Sequence, residues 1–288
     1  MFSNILVPVD FGSCSEHALE FAERIVGKGG SIRLLYVLDE KIVLPFDGML
    51  DLSIIEDSAR RSLERMVEGR KRQGVSLGAE LVRGEVSEEV LAAAARGGHD
   101  LLVVGSHGRK GLRRLLLGSV AERIVRRAGL PVCVVKEGPR RGPSFGKIGF
   151  AADFSPAGDR AFDRFRALCL EHGASAFILH VQESEAVLAG FAVPAGTIEH
   201  NLNLLREQRR RQCEEMVEAL EKDGVKAEGV LLEGQPWEEL ADFASRRELD
   251  LLVMGTHGYR GVDRLFLGSV AEKTMRMIEE PLLVVPGS

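Results

Sequence analysis

Short uninterrupted apolar runs recur along the chain, separated by longer stretches in which apolar positions return at helical spacing. Residues 5–9 form the first run, too short for a helix and suited to a strand buried on both faces. Ala18, Leu19, Ala22 and Ile25 then line one face of an expected helix, with Ser13 or Ser15 as its N-cap. Residues 31–38 predict a second strand, 52–73 a long helix with a polar face, and 77–82 a third strand. Ser87 is the expected cap of a short helix, with Glu88 and Glu89 in its first turn complementing the dipole. Residues 101–105, 119–127 and 131–135 complete the series as strand, helix and strand. Such alternation implies right-handed crossovers and a parallel sheet covered by helices on both faces.

The series then repeats. Residues 100–135 reappear at 250–285 without a gap, and 20 of the 36 positions are identical. Nearer the front the match is weaker: Asp10 corresponds to Asp153, Phe11 to Phe154, and Tyr36-Val37 to His180-Val181. In the second copy Gln235, Pro236 and Trp237 open the short helix. Two copies are too few for a solenoid, and each is long enough for its own core. The chain therefore reads as two α/β domains in tandem, 1–137 and 147–288, each an open five-stranded parallel sheet. Residues 138–146, rich in Gly, Pro and charge, form the expected linker.

Composition adds limits. At 288 residues, with 45% hydrophobic and 28% charged positions, the chain has the make-up of a soluble two-domain protein rather than a disordered one. No apolar run approaches the roughly 18 residues of a membrane helix, and no secretory signal opens the chain, so a cytoplasmic location without membrane contact is expected. Cys14, Cys133, Cys169 and Cys213 stand far apart, which suits a reducing compartment and implies neither a disulfide framework nor a zinc site. The net charge of −5 argues against a general nucleic-acid face. The halves differ, however: residues 1–143 carry 22 basic against 19 acidic side chains, and residues 144–288 carry 16 against 24.

The most informative motif follows the fourth strand of each copy. Gly105-x-x-Gly108, nine residues, then Gly118-Ser119 is matched by Gly255-x-x-Gly258, nine residues, then Gly268-Ser269. Glycine lets backbone N–H groups approach a ligand closely, and the second element lies at a helix start, where free N–H groups and the dipole attract phosphate. The alternative is that these are turn and capping glycines, since a duplication copies structure as well as function. Asp10 and Asp153 are read as ligand contacts or as turn and cap residues. His107 and His257 either touch ribose or phosphate or fill the loop. Cys14 reads as a buried thiol, His180 as a core or strand-end residue, Trp237 as packing, and Arg209-Arg210-Arg211 as part of a solvated, ion-paired helix face. P-loop, dinucleotide-fold, metalloprotease and nucleophile-elbow motifs are all missing. Without a base, an arginine finger or fixed metal carboxylates, rapid hydrolysis has little to run on.

The doubled glycine signature, an Asp ending the first strand and the five-strand series resemble the universal stress protein family in its tandem, ATP-binding form. The resemblance spans essentially the whole chain, twice, and implies an adenine-nucleotide alpha hydrolase-like fold. It implies that Asp10 and Asp153 contact the adenosine moiety and that Val37 and Val181 meet adenine through their backbone. Gly105, Gly108, Gly118 and Ser119 would hold ribose and phosphates, as would Gly255, Gly258, Gly268 and Ser269. Pro8, Val9, His107, Arg109, Val120, Ala152, His257 and Val270 join the implied nucleotide set. Copy two departs where Pro8-Val9-Asp10 becomes Ala151-Ala152-Asp153, a less rigid first loop. The implied ligand is ATP or AMP, with any Mg2+ or Mn2+ held by its phosphates, and the implied role is signalling or regulation rather than catalysis. Two rivals stay open: a slow ATPase or nucleotidyl-transfer enzyme on the same site, and a scaffold with vestigial sites.

The sequence also ranks the two sites. Between the last two glycines copy one has Arg109, Lys110, Arg113 and Arg114, whereas copy two sets Arg260 and Arg264 against Asp263. Copy one is therefore expected to bind triphosphate more tightly. Residues 132–135 and 282–285 are apolar edge strands that invite aggregation if uncovered. Pairing of these strands between the two copies within one chain is expected, with a homodimer as the other outcome left open. Separately expressed halves should then associate when mixed in analytical ultracentrifugation; halves that remain monomeric and soluble contradict the pairing.

Overall fold

In the computed structural model, residues 2–39, 52–70, 74–106, 117–137, 145–182, 195–256 and 267–287 are described. The chain divides into two compact units at Arg140/Arg141. In the first unit, β1 (Phe2–Pro8), α1 (Ser13–Ile25), β2 (Val26–Leu38), α2 (Leu52–Glu68), β3 (Ser76–Arg83), α3 (Val86–Arg96), β4 (Leu101–Gly105), α4 (Ser119–Arg127) and β5 (Val132–Val135) follow one another. In the second, β6 (Lys147–Ala151), α5 (Asp159–His172), β7 (Ser175–Gln182), α6 (Ala195–Lys222), β8 (Ala227–Glu233), α7 (Pro236–Arg247), β9 (Leu251–Gly255), α8 (Ser269–Met277) and β10 (Leu282–Val285) repeat the plan.

Each unit is an α/β fold with a five-stranded parallel sheet, in the order β3-β2-β1-β4-β5 in the first and β8-β7-β6-β9-β10 in the second. The apolar runs explain the placement. Ile5, Leu6 and Val7 are successive and all wholly buried, as are Leu251, Leu252 and Val253. Because successive strand residues point to opposite faces, both faces of the central strands are covered. In the second unit the core is strongly aromatic, with Phe150 packed on Phe162 and Phe165 at centroid distances of 5.5 and 5.4 Å.

Local details differ from the sequence expectations in instructive ways. The strand expected at 31–38 begins at Val26, and its register against β1 slips between Phe2 and Asn4 to take up the Gly27–Gly30 stretch. Ser87 is not the cap of α3. Glu85 is, and its carboxylate accepts from the Glu88 N–H at 2.9 Å while the wholly buried Ser87 hydroxyl donates to it at 2.7 Å. The Ser87 hydroxyl first, then the Glu88 N–H and the Arg123 guanidinium, hold Glu85 below the usual carboxylate range against the opposing effect of burial. Helix α1 has Gly12 at its N-cap with no side-chain cap, and Ser15 instead donates its hydroxyl to the Gly12 carbonyl at 2.9 Å. Two residues of the expected linker belong to the second unit: Phe145 is buried and meets His172 edge-on at 4.8 Å, and the Gly146 carbonyl accepts from the Ser175 N–H. Residues 138–144 lie outside those described.

At the edge where the strands begin, one aspartate clasps each sheet. Asp100 accepts from the Ser3 N–H at 2.7 Å, the Ser3 hydroxyl at 2.8 Å and the Asn4 N–H at 3.0 Å. Asp250 does the same for the Gly146 and Lys147 N–H groups, at 2.8 and 3.0 Å. Charge-assisted bonds to chain ends of this kind contribute about 1–3 kcal/mol when lost without replacement. Asp100→Ala and Asp250→Ala should each lower the unfolding free energy by about that amount in urea titrations, and an unchanged midpoint contradicts the clasp.

Candidate functional site

The strand order places a reversal beside the first strand of each unit: from β1 the chain crosses to β2 on one side and later returns to β4 on the other. The connections that leave two such strands diverge, and open α/β sheets bind ligands in the crevice beyond the carboxyl ends at such a reversal. The described members of the expected nucleotide set fall at this edge.

Following the end of β1, Val9 is buried and its N–H donates to the Leu35 carbonyl at 2.9 Å. The Asp10 carboxylate turns back on its own loop and accepts from the Gly12 N–H at 3.0 Å, the short side chain holding a turn two residues on. Ala152 and Asp153 repeat the arrangement, with the Ala152 N–H on the Leu179 carbonyl at 2.8 Å and the Ser155 N–H on Asp153 at 3.1 Å. Here the copies diverge. The Ser155 hydroxyl also reaches both carboxylate oxygens of Asp153, at 2.9 and 2.8 Å, whereas Gly12 supplies no such group to Asp10. The turn role of both aspartates is thus realised in the structure, and at Asp153 an internal hydroxyl already occupies the carboxylate.

The second wall comes from β2 and β7. Val37 is buried and Val181 half-buried. Tyr36, one residue earlier, stacks on Phe11 at 4.8 Å and 22°, and His180 meets Phe154 at 4.7 Å. His180 is therefore a strand-end residue that also ties two segments together, since its Nδ1–H donates to the Ala152 carbonyl at 2.8 Å. Burial, with a smaller push from Arg209, holds the imidazole below its ordinary 6.5, opposed by the hydrogen bond and by Asp153. Arg209 itself leaves the solvated face expected of it and lies over the Phe154 ring at 5.3 Å.

The third wall is the glycine signature. The last glycine is joined by one hydrogen bond in each copy to the residue that follows the first glycine. The Gly118 N–H donates to the Ser106 carbonyl at 2.7 Å, and the Gly268 N–H donates to the Thr256 carbonyl at 2.8 Å. Gly118 and Gly268 are the N-caps of α4 and α8, extended in backbone and without a side-chain cap. The helix N-terminus that begins at Ser119-Val120, and again at Ser269-Val270, is thus set against the carboxyl end of the fourth strand. The N-cap glycine brings no side-chain acceptor of its own to the leading N–H groups.

Gly105 has an additional reason to be glycine. A Cβ there would stand 2.9 and 3.0 Å from the backbone C and O of Cys14, so the absence of a side chain lets the first turn of α1 close onto β4. The sequence pattern offered ligand approach or a turn and capping role for this residue, and close packing between elements is a third. His107, Gly108, Arg109, Lys110, Arg113 and Arg114, and His257, Gly258, Arg260, Asp263 and Arg264, lie outside the described residues. The charge difference between the two loops rests on those same residues.

Other singled-out residues take structural places. Trp237 packs under the Lys273 ammonium at 3.6 Å, where the first unit has an Arg123–Glu85 ion pair. Cys14, Cys133, Cys169 and Cys213 are buried and unoxidised. Burial pushes the Cys169 thiol up to about 12, the Cys213 thiol up to about 11 and the Cys133 thiol well above its usual value, which leaves these three as inert thiols. Among the described residues no group of three acidic, His or Cys side chains is placed to hold a metal ion, and no helix is long and apolar enough to cross a membrane.

Comparison with known proteins agrees with this arrangement. The sequence profile of the universal stress protein family matches residues 1–136 and again 144–286. A universal stress protein of Methanocaldococcus jannaschii is 30% identical over 142 residues, covering 48% of this chain and 84% of its own length. One from Mycobacterium tuberculosis is 28% identical over 255 residues, covering 80% of this chain and 77% of its own. Among solved structures, a universal stress protein from Archaeoglobus fulgidus superposes with a TM-score of 0.72 at 20% identity, covering 98% of this chain and 96% of that one, a likeness of fold. Two matches to one family, over residues 1–136 and 144–286, on two units of the same strand order, make this chain a tandem member of the universal stress protein family.

Proposed function

We propose that each unit binds an adenine nucleotide, ATP or AMP, across the carboxyl edge of its sheet, and that the occupied and empty states act as a regulatory signal in a stress response. The observation that carries this reading is the hydrogen bond from the N-cap glycine to the end of the fourth strand. It sets an uncapped helix N-terminus beside the crevice at the strand reversal in both copies. Such a terminus offers N–H groups and the positive end of the dipole to a phosphate. The turn aspartate and the β2 or β7 strand end would receive the adenosine. A divalent cation, when present, would be held by the nucleotide's phosphates. The four buried thiols suit a reducing cytoplasm.

The same geometry supports unequal sites. Pro8 fixes the backbone ahead of Asp10, while Asp153 follows Ala151-Ala152 and is already engaged by the Ser155 hydroxyl. A ligand hydroxyl at Asp153 has to compete with that internal donor. This points in the same direction as the richer basic loop of copy one.

Calorimetry on single-site variants tests both parts. Gly118→Val and Gly268→Val each place a branched side chain at a helix start that the phosphates would approach. Each should weaken ATP binding at its own site at least tenfold, about 1.4 kcal/mol, with circular dichroism unchanged. The Gly268→Val chain, which retains site one, should bind ATP more tightly than the Gly118→Val chain. Undiminished binding in the double variant contradicts the phosphate assignment, and equal affinities in the two single variants contradict the ranking.

A further inference from the structure

Three non-glycine residues among those described have a left-handed backbone: Phe11 with φ 63°, Phe154 with φ 57° and Glu248 with φ 55°. Glu248 ends a helix, where this conformation is common. The other two are aromatic residues at corresponding positions, each directly after the aspartate that follows the first strand of its unit. Bulky side chains seldom adopt this conformation, and it persists only where the surroundings over-determine it. The duplication has kept it through the weakly matched front part of the repeat.

In each copy the ring makes an aromatic contact with the second strand of its unit. Phe11 lies on Tyr36 of β2, nearly parallel, and Phe154 lies against His180 of β7. Tyr36 and His180 each precede the valine expected to face adenine, so the stack and the valine stand on opposite sides of the same strand. On its outer side Phe11 lines a groove of about 380 Å³ with Glu16 of α1 and Arg65 and Met66 of α2. The outer side of Phe154 is covered instead by the Arg209 guanidinium. Copy two adds one more tie: because a carbonyl only accepts, His180 carries its proton on Nδ1 and holds Ala152, the residue before Asp153. The stack and the turn bond to the aspartate therefore grip the loop from its two sides.

We infer that Phe11 with Tyr36, and Phe154 with His180, are positioning pairs. Each locks the loop after the first strand in the left-handed turn that orients Asp10 or Asp153 toward the bound nucleoside. The inference rests on the nucleotide reading above and extends it to residues that do not touch the ligand.

The test uses the full chain carrying Gly268→Val, so that site one alone is read, and ATP as the probe. Phe11→Gly is the informative variant, because glycine adopts the left-handed backbone freely and so keeps the conformation accessible while removing the ring. Calorimetry should show ATP affinity falling at least tenfold in Phe11→Gly and in Tyr36→Ala. Phe11→Tyr and Tyr36→Phe, which preserve the stack, should stay within threefold of the parent. Amide exchange at Gly12 should quicken in the two weakened variants and not in the two rescued ones, with circular dichroism unchanged in all four. Binding within threefold of the parent in both Phe11→Gly and Tyr36→Ala overturns the positioning role and leaves the nucleotide reading standing. A parent that binds no ATP, when the otherwise native chain binds none either, overturns the nucleotide reading and the positioning role with it.

Discussion

Each unit is governed by one constraint of parallel sheets: every connection has to carry the chain from the end of one strand back to the start of the next. The strand ends, the turns and the helix N-termini consequently gather at one edge of the sheet. The strand order reverses beside β1 and β6, so the connections diverge from that point of the edge. The turn aspartates and the N-cap glycines lie there, and the opposite edge holds the Asp100 and Asp250 clasps that tie strand starts together. The two edges of one sheet therefore carry different kinds of contact. In this molecule the division is visible in which aspartates bind backbone at strand starts and which hold turns at strand ends.

The duplication separates what the fold needs from what a site can vary. Both copies keep the left-handed phenylalanine, the turn aspartate and the bond from the N-cap glycine to the fourth strand. Both also keep a left-handed glycine after the third strand, Gly84 and Gly234, where a side chain would collide with Glu89 or Glu239. The differences lie around these shared parts. Ser155 replaces Gly12 beside the aspartate, His180 replaces Tyr36 in the stack, and a Lys273–Trp237 contact replaces the ion pair of Arg123 with Glu85. Changes of this kind leave the architecture intact and alter the contacts along one edge.

Much of this was legible in the chain. Fully apolar runs of four or five residues marked the buried strands, because a strand covered on both faces has no polar side to show. The ungapped repeat of residues 100–135 marked the duplication and the glycine signature. Caps were less legible. Ser87 looked like an N-cap by type, yet the chain enters α3 two residues earlier and Glu85 takes the role, with Ser87 buried beneath it. Gly105 looked like a ligand residue, but its closest constraint is the backbone of Cys14, ninety-one positions away in sequence. The aromatic stacks were invisible for the same reason: Phe11 and Tyr36 lie on different elements, and only the fold brings them within 4.8 Å. Local composition reports on caps and turns through residue type, and contacts between elements leave no such mark.

Native mass spectrometry of the intact chain titrated with ATP tests the central claim most directly. Two nucleotides per chain are expected at saturation, one lost in Gly118→Val or Gly268→Val and both in the double variant. A chain that takes up no nucleotide, or a double variant that still takes up two, would contradict the assignment of these glycine-bounded sheet edges as the binding sites.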